Sequence, residues 1–547
     1  MSANMNVTIR RLMSLFVILF LVISVVAAYV QVNNQAFPNG PVLAAGPLDT
    51  RACVDPADQP VRGTIYDRNG IRLAYTERDP QARCGYRRVY TDPTLAPVIG
   101  YFSYKYGASG IEAAFNDYLA GTGVGASPND ALNKILHRPR NGNDLYLTID
   151  DKLQQQVATL YESNSAVLRG SGVCEAAGSN PPGSVIVEDP NTGQILAMYS
   201  NPSFDANKID DPTYWSQLNA DPGHPLLNHA TQGLYDPGST FKTLTMLAGL
   251  DSGQYSLNTP FDYNSATTLT VNGETIRWED YFNGTWNGVL TQNSFPITLQ
   301  QGYAYSDNTM FARVAGQIGA DTWLKYARAF GIKTPGYQAP VEPVPFDGSS
   351  AQSSAYNQFD SNGQPTQFTS NPNLLAESGF GQGQLLITPL TMTEIASTIA
   401  SGGYLYEPHM VSQIVPFGES RDSVLPGGDG LIGDKVAYGG GPIIEPQTAA
   451  AARAAMWSVV DYGTASFSPN PVTSIGLRAS GTHEGGKTGT GQSGNIQPET
   501  WWISLAPDDQ APGGGAAKYT VSVHKEHSGE GACQVWIADD IYQDLGV

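Results

Sequence analysis

The sequence predicts an α+β fold, one mainly antiparallel sheet with helical layers. Three observations lead there. The stretch SVIVEDPNTGQILAMYS (184–200) sets two apolar runs around a Pro-Asn-Thr-Gly turn, a hairpin pattern. Near the end, TWWISLAP (500–507) and YTVSVHK (519–525) flank a Gly-rich loop and form a second hairpin pattern. Between the two, TMFARVAGQIGA (309–320) and DTWLKYARAFGI (321–332) carry helical periodicity.

The elements in chain order fill out this picture. The 547 residues are 41% hydrophobic, enough for a large core, and at roughly 100–200 residues per domain they make two to four folding units. Residues 1–11 form a short tail that ends in Arg10 and Arg11. Leu12 to Val30 is a run of 19 residues without charge, long enough for one transmembrane helix. No Lys or Arg follows before Arg51, so the positive-inside rule places the tail in the cytoplasm and the rest outside. A cleaved signal peptide is the alternative, marked by Ala27 and Ala28, but its apolar region is usually only about 7–15 residues long. Residues 31–143 hold a polar Gly/Pro-rich stalk (31–50) and a small N-terminal module. In that module RGTIYDRNGIRLA (62–74) reads as a hairpin, and YGASGIEAAFNDYLAG (106–121) as a turn followed by an amphipathic helix. Residues 144–547 form the larger domain. It opens with a helix capped by Asp150 or its neighbour, carrying Leu153, Val157 and Leu160 on one face, and closes on the helical CQVWIADDIYQDL (533–545).

Composition excludes some functions. Lys and Arg total 30 against 50 Asp and Glu, a net charge of −20 that repels nucleic acid at physiological salt. The four cysteines, Cys53, Cys84, Cys174 and Cys533, all follow the apolar run and are even in number, which fits disulfides outside the cytoplasm. There is no CxxC and no Cys/His cluster at metal spacing, so no metal site is expected.

Three short motifs carry chemistry. Pro237-Gly238-Ser239-Thr240-Phe241-Lys242 leads into the apolar TLTMLAGL, which puts Ser239 at a helix N-terminus where N–H groups stabilise negative charge. Lys242, three residues on, shares its helical face. A serine hydroxyl needs a base, and a lysine kept partly neutral by burial and a nearby cation can serve. A second Ser-x-x-Lys, Ser522 to Lys525, lies in a strand pattern, where positions i and i+3 face opposite sides. Tyr305-Ser306-Asp307-Asn308 precedes a helix and also reads as a simple N-cap; Ser-x-Asn recurs at Ser256, Ser468 and Ser493. Gly486-Lys487-Thr488-Gly489-Thr490 contains the chain's one Lys-Thr-Gly. On a strand edge Lys487 and Gly489 point one way and Thr488 the other, and Gly489 lets a substrate approach the backbone. Gly481 to Thr488 also matches the P-loop pattern, but the glycine-rich GTGQSGN that follows would make a very poor helix.

Ser-x-x-Lys, Ser-x-Asn and Lys-Thr-Gly in this order form the set seen in penicillin-binding proteins and serine β-lactamases. The chain resembles class B penicillin-binding proteins over nearly its whole length. RGTIYDRNGIRLA, GASGIEAAFNDYLAG, LLNHATQGLYDPGSTFK, SGFGQGQLLITPLTMTEIASTIASGGYLYEPHMV and TWWISLAP all look like family segments, and the overall size is most like the PbpA group. His229, where an arginine is common, and His483-Glu484 before the Lys-Thr-Gly depart from the pattern.

The resemblance implies a β-lactamase-like transpeptidase domain with a five-stranded, mainly antiparallel sheet, above an N-terminal pedestal or dimerisation module. It implies D,D-transpeptidation of peptidoglycan stem peptides through a Ser239 acyl-enzyme that β-lactams block. Lys242 would be the base and Ser306 the proton relay to the leaving D-Ala. Asn308 would bind a donor amide, Lys487 would supply positive field, and Thr488 with Thr490 would bind the terminal carboxylate. The N–H groups of Ser239 and Thr490 would form the oxyanion hole. No cofactor is implied. The expected setting is single-pass in a bacterial cell membrane, with the catalytic part outside, in cell-wall synthesis for division or cell shape. About 110 residues separate the membrane helix from the larger domain, too few for a lysozyme-sized glycosyltransferase, so a partner would supply that activity. A D,D-carboxypeptidase, a β-lactamase-type hydrolase and a β-lactam sensor share the residues; the short cytoplasmic tail argues against the sensor. Four cysteines allow three pairings. A local Cys53–Cys84 bridge is simplest, and in the resembling fold the first and last strands are neighbours, which implies Cys174–Cys533.

Overall fold

A computed structural model describes residues 61–82, 85–121, 141–163, 180–277, 290, 292–332, 372–383, 385–423, 440–466, 483–492, 497–529 and 531–547. The chain divides into two compact units, Met1–Gln59 and Pro60–Val547. The first, with the expected membrane helix 12–30 and Cys53, lies outside the described residues, as do Cys84 and Cys174. Among the described residues no helix is long and apolar enough to cross a membrane.

The second unit holds two five-stranded sheets. In the smaller, β1 (Ile65–Tyr66) and β2 (Arg72–Arg78) form a hairpin, with Ile65 opposite Ala74. β3 (Tyr86–Tyr90) extends it antiparallel. β4 (Asp144–Leu147) runs parallel to β1, and β7 (Val411–Val415) lies antiparallel beyond β4. Two of its strands therefore come from beyond residue 143, the expected domain boundary. A buried ion network ties the module together: Arg62 Nε donates to Glu112 at 2.5 Å and Arg88 Nε to the same carboxylate at 2.7 Å. Burial alone would raise Glu112, but the two guanidiniums hold it below the usual carboxylate range.

The larger sheet comprises β5 (Gly183–Asp189), β6 (Gln194–Asn201), β8 (Gly485–Gly491), β9 (Glu499–Ala506) and β10 (Tyr519–Lys525). Its order is β8-β9-β10-β5-β6, and every neighbouring pair is antiparallel. Both hairpin patterns fold as hairpins, and β8 is left as an edge strand. The β9 strand, ETWWISLA, is buried along its whole length, as expected where both faces of a sheet are covered.

Helix α1 (Asp151–Ser163) starts where Asp150 Oδ1 accepts the N–H groups of Lys152 and Leu153 at 3.1 and 3.2 Å, and it buries Leu153 and Val157. The helical layer contains α2 (Lys242–Asp251), α3 (Asn308–Ile318), α4 (Ala320–Ala329), α5 (Pro389–Ala400) and α6 (Pro446–Asp461), with α7 (Val535–Leu545) closing the chain. α2 and α3 share one apolar cluster with the sheet, including Phe241, Leu244, Leu247, Met310, Phe311, Trp501 and Ile503. A second cluster joins Ile65, Leu145 and Leu147 of the small sheet to Ile186, Ile195 and Met198 of the large one. Cys533 is buried and disulfide-bonded.

The first cluster fixes the helices that carry the site. Phe311→Ala, a fully buried truncation on α3, should lower unfolding free energy by about 3–5 kcal/mol in denaturant titration. A loss below about 1 kcal/mol would mean that α3 is not held by this cluster.

Candidate active site

Ser239 sits three residues ahead of the α-helix start. Gly238–Phe241 form a 3-10 turn, and the α-helix α2 begins at Lys242. The turn is pressed against edge strand β8. Gly238 has φ 52°, and a Cβ there would lie 2.4 Å from the Thr490 carbonyl oxygen, so only glycine fits. Gly238 N–H donates to Gly381 O at 3.1 Å, which anchors the turn from its other side. Trp501 Nε1 donates to Asp236 O at 2.9 Å and holds the approach to it.

Lys242 is fully buried, whereas Ser239 is partly accessible. Its Nζ lies 2.8 Å from Ser239 Oγ, 2.7 Å from Ser306 O, 3.1 Å from Ser306 Oγ and 2.5 Å from Asn308 Oδ1. One amine thus joins the first two motifs. Ser306 has φ 61°, a left-handed conformation rare outside glycine. That strain is held by Asp307, which caps α3 by accepting Met310 N–H at 2.9 Å, and by bonds from Ser306 N–H to Tyr303 O and Asp307 N–H to Gly302 O. The third motif arrives on β8. Lys487 Nζ donates to Ser306 Oγ and to Thr488 O, both at 3.0 Å, and stands over the Tyr303 ring.

The electrostatics follow from burying two amines together. Burial pushes Lys242 well below its ordinary value, and the charge of Lys487 pushes it further, with Asp307 opposing. Burial brings Lys487 down to about 7. Burial raises Asp307 to about 7 against the pull of its N–H partners and Lys242. A neutral amine has a lone pair that can accept a hydroxyl proton, and Ser306 Oγ lies between the two amines, 3.1 Å from Lys242 Nζ and 3.0 Å from Lys487 Nζ.

Five expected site residues, Ser239, Lys242, Ser306, Asn308 and Lys487, therefore meet through hydrogen bonds. Thr488, Gly489 and Thr490 lie beside them. Thr488 Oγ1 is 2.7 Å from Thr464 Oγ1, Gly489 packs against Thr240, and Thr490 Oγ1 accepts Gly531 N–H at 3.3 Å. The second Ser-x-x-Lys is elsewhere: Ser522 bonds Thr393 and Lys525 bonds Tyr161 O. Lys487 stands in mid-strand, which rules out a P-loop for Gly481 to Thr488. His229 lies behind the turn, 2.5 Å from Tyr235 OH. Glu484 is buried against Trp502. The sequence motifs do not include Thr464, Asp307 as a charge, or the ring of Tyr303; the Gly-Thr pair after a helix carries no spacing that marks the first. Among the described residues no group of His, Cys, Asp or Glu could hold a metal ion.

An α-helical layer presenting Ser-x-x-Lys and Ser-x-Asn to a Lys-Thr-Gly edge strand defines a penicillin-binding serine acyltransferase centre. The chain belongs to the penicillin-binding protein transpeptidase family: residues 183–543 match the penicillin binding protein transpeptidase domain. Residues 62–145 match the penicillin binding protein A dimerisation domain. The chain is 28% identical over 521 residues to the peptidoglycan D,D-transpeptidase PbpA of Mycobacterium tuberculosis, covering 93% of this chain and 92% of that one. It is 27% identical over 335 residues to the MrdA D,D-transpeptidase of Escherichia coli K12, covering 59% and 47%. The solved M. tuberculosis penicillin-binding protein A, an imipenem acyl-enzyme complex, superposes with a TM-score of 0.68 at 25% identity, covering 89% of this chain and 99% of that one.

The amine pair sets a pH dependence. A base must be neutral to act, so acylation by a chromogenic β-lactam should rise with pH through the depressed Lys242 value. In Lys487→Ala the neighbouring cation is gone and Lys242 keeps its proton to higher pH, so the acidic limb of the rate profile should move upward. An unmoved or downward limb contradicts this electrostatic coupling.

Proposed function

We propose that the chain is a peptidoglycan D,D-transpeptidase, acylated at Ser239 by stem peptides ending in D-Ala–D-Ala and blocked covalently by β-lactams. The observation that carries this reading is the buried Lys242 amine in reach of Ser239 Oγ, Ser306 and Asn308 at once. Family membership and the likeness to PbpA support it.

The Ser239 hydroxyl gives its proton to neutral Lys242 as Oγ bonds to the carbonyl carbon of the penultimate D-Ala. The N–H groups of Ser239 and Thr490 receive the oxyanion; losing one such donor costs roughly 3 kcal/mol of transition-state stabilisation. As the peptide C–N bond breaks, the proton passes from Lys242 through Ser306 Oγ to the leaving D-Ala nitrogen. Asn308 holds a donor amide, Lys487 contributes positive field beside Ser306, and Thr488 and Thr490 hold the terminal carboxylate. An acceptor amine then attacks the ester carbonyl, losing its proton through the same groups, and Ser239 is restored as the cross-link forms.

The setting completes the reading. Residues 12–30 anchor the chain in the bacterial cell membrane with 1–11 inside. Residues 31–143 form stalk and pedestal, and 144–547 the transpeptidase domain outside the cytoplasm. A separate glycosyltransferase supplies the glycan strands. Cys53 pairs with Cys84, and Cys174 with Cys533; support for the second comes from the antiparallel pairing of β5, which follows Cys174, with β10, which precedes the disulfide-bonded Cys533.

Two measurements test this. Labelled penicillin should mark the protein covalently at Ser239 and leave Ser239→Ala unmarked, and a donor peptide with an amine should yield the cross-linked product by mass spectrometry. A labelled alanine variant, or only the hydrolysed peptide, refutes the assignment. Non-reducing peptide mapping should recover Cys174 linked to Cys533; either residue found linked to Cys53 or Cys84 refutes the pairing.

A further inference from the structure

We propose that Thr464 is a positioning residue that sets the hydroxyl of Thr488 as a donor to the substrate carboxylate, and so fixes the enzyme's demand for a negatively charged terminus. This rests on the proposed function, in which Thr488 binds that carboxylate.

The turn after α6 brings Thr464 to the site. Gly463 N–H closes the helix onto Ser458 O at 3.0 Å. Gly463 packs so tightly that a Cβ would lie 2.4 Å from Ala304 O, and Thr464 N–H donates to the same Ala304 O at 3.0 Å. Ala304 stands two residues before Ser306, so this backbone is tied to the second motif. The Thr464 side chain then reaches the third, with its Oγ1 2.7 Å from Thr488 Oγ1. One residue bridges the two motifs that flank the nucleophile.

The chemistry lies in counting hydrogens. A threonine hydroxyl has one proton to donate and lone pairs to accept with. Thr488 is 7% exposed, and a buried hydroxyl left without a partner costs free energy. If Thr488 donated to Thr464, no proton would remain for a carboxylate. With an anion bound, the chain runs one way only: Thr464 donates to Thr488, and Thr488 donates outward. Each bond polarises the next. Thr490 is served similarly, because its Oγ1 accepts the Gly531 N–H and its own proton stays available. Backbone holds one hydroxyl and Thr464 the other. Only the second arrangement can be removed by changing a side chain.

The test uses the full chain purified in detergent and two probes, a penicillin and its C-terminal carboxamide analogue, each followed as the second-order rate of Ser239 acylation. Thr464→Val keeps the shape and removes the hydroxyl. A hydrogen bond feeding a charged group is worth enough for about a tenfold loss. The variant should therefore acylate about tenfold more slowly with the carboxylate and stay within about twofold with the carboxamide. Thr464→Ser should restore the preference. In a Thr488→Val background, Thr464→Val should change the preference no further, because the chain is already cut. Melting temperatures of all variants identify any that fail to fold, in which case Thr464→Ala replaces valine. Equal losses on both probes, an unchanged preference, or additive losses in the double variant would each overturn the inference. Wild-type protein that is not acylated at Ser239 by the penicillin would overturn the proposed function itself, and with it this reading.

Discussion

The site depends on one constraint: a lysine amine is buried with more acceptors around it than it can serve. Lys242 Nζ has four oxygen neighbours from Ser239, Ser306 and Asn308, while an ammonium has three hydrogens and a neutral amine two. Burial disfavours the charged form, and a second buried amine, Lys487, disfavours it further. The charge of Asp307 opposes that shift, and the four oxygens hold the amine in place. A group in this balance can take a proton from one hydroxyl and return it to another with little rearrangement, which acyl transfer requires twice per turnover.

The rest of the fold delivers three chain segments to that amine. The Gly238–Phe241 turn is wedged between Thr490 and Gly381. The Ser306 segment is a strained corner ahead of α3, held by the Asp307 cap. β8 is an edge strand among the described residues, paired with β9 on one side and packed against the Gly238–Phe241 turn. The apolar cluster that contains Phe241, Leu244, Phe311 and Trp501 joins the first two segments to β9, the strand paired with β8.

Much of this was legible in the sequence because it rests on local periodicity. Ser239 and Lys242 are three apart ahead of an apolar run, and Lys487 and Thr488 alternate on a strand; both spacings carry geometry by themselves. Both hairpins of the large sheet announce their turns. Ser306 and Asn308 were a different case: other Ser-x-Asn triplets, such as those at Ser256, Ser468 and Ser493, look the same, and order along the chain singled them out. The small sheet was only partly legible, because β7 pairs with β4 from a distant part of the chain and no local pattern reports such a pairing. Thr464 was not legible at all. A threonine after a helix has no spacing to mark it, and its role arises from the approach of Gly463 to Ala304. The 3-10 turn at Ser239, where Gly238 packs against Thr490 O, is likewise not reported by the local pattern of PGSTFK.

The central claim is that burial and the charge of Lys487 push the Lys242 amine well below its ordinary proton affinity. Nitrogen NMR of the full chain labelled at lysine Nζ, with Lys242 assigned by its loss in Lys242→Arg, measures this directly. The account predicts that ammonium converts to the uncharged amine well below the ordinary lysine range. A Lys242 signal that stays ammonium up to the ordinary lysine range of about 10 would contradict it.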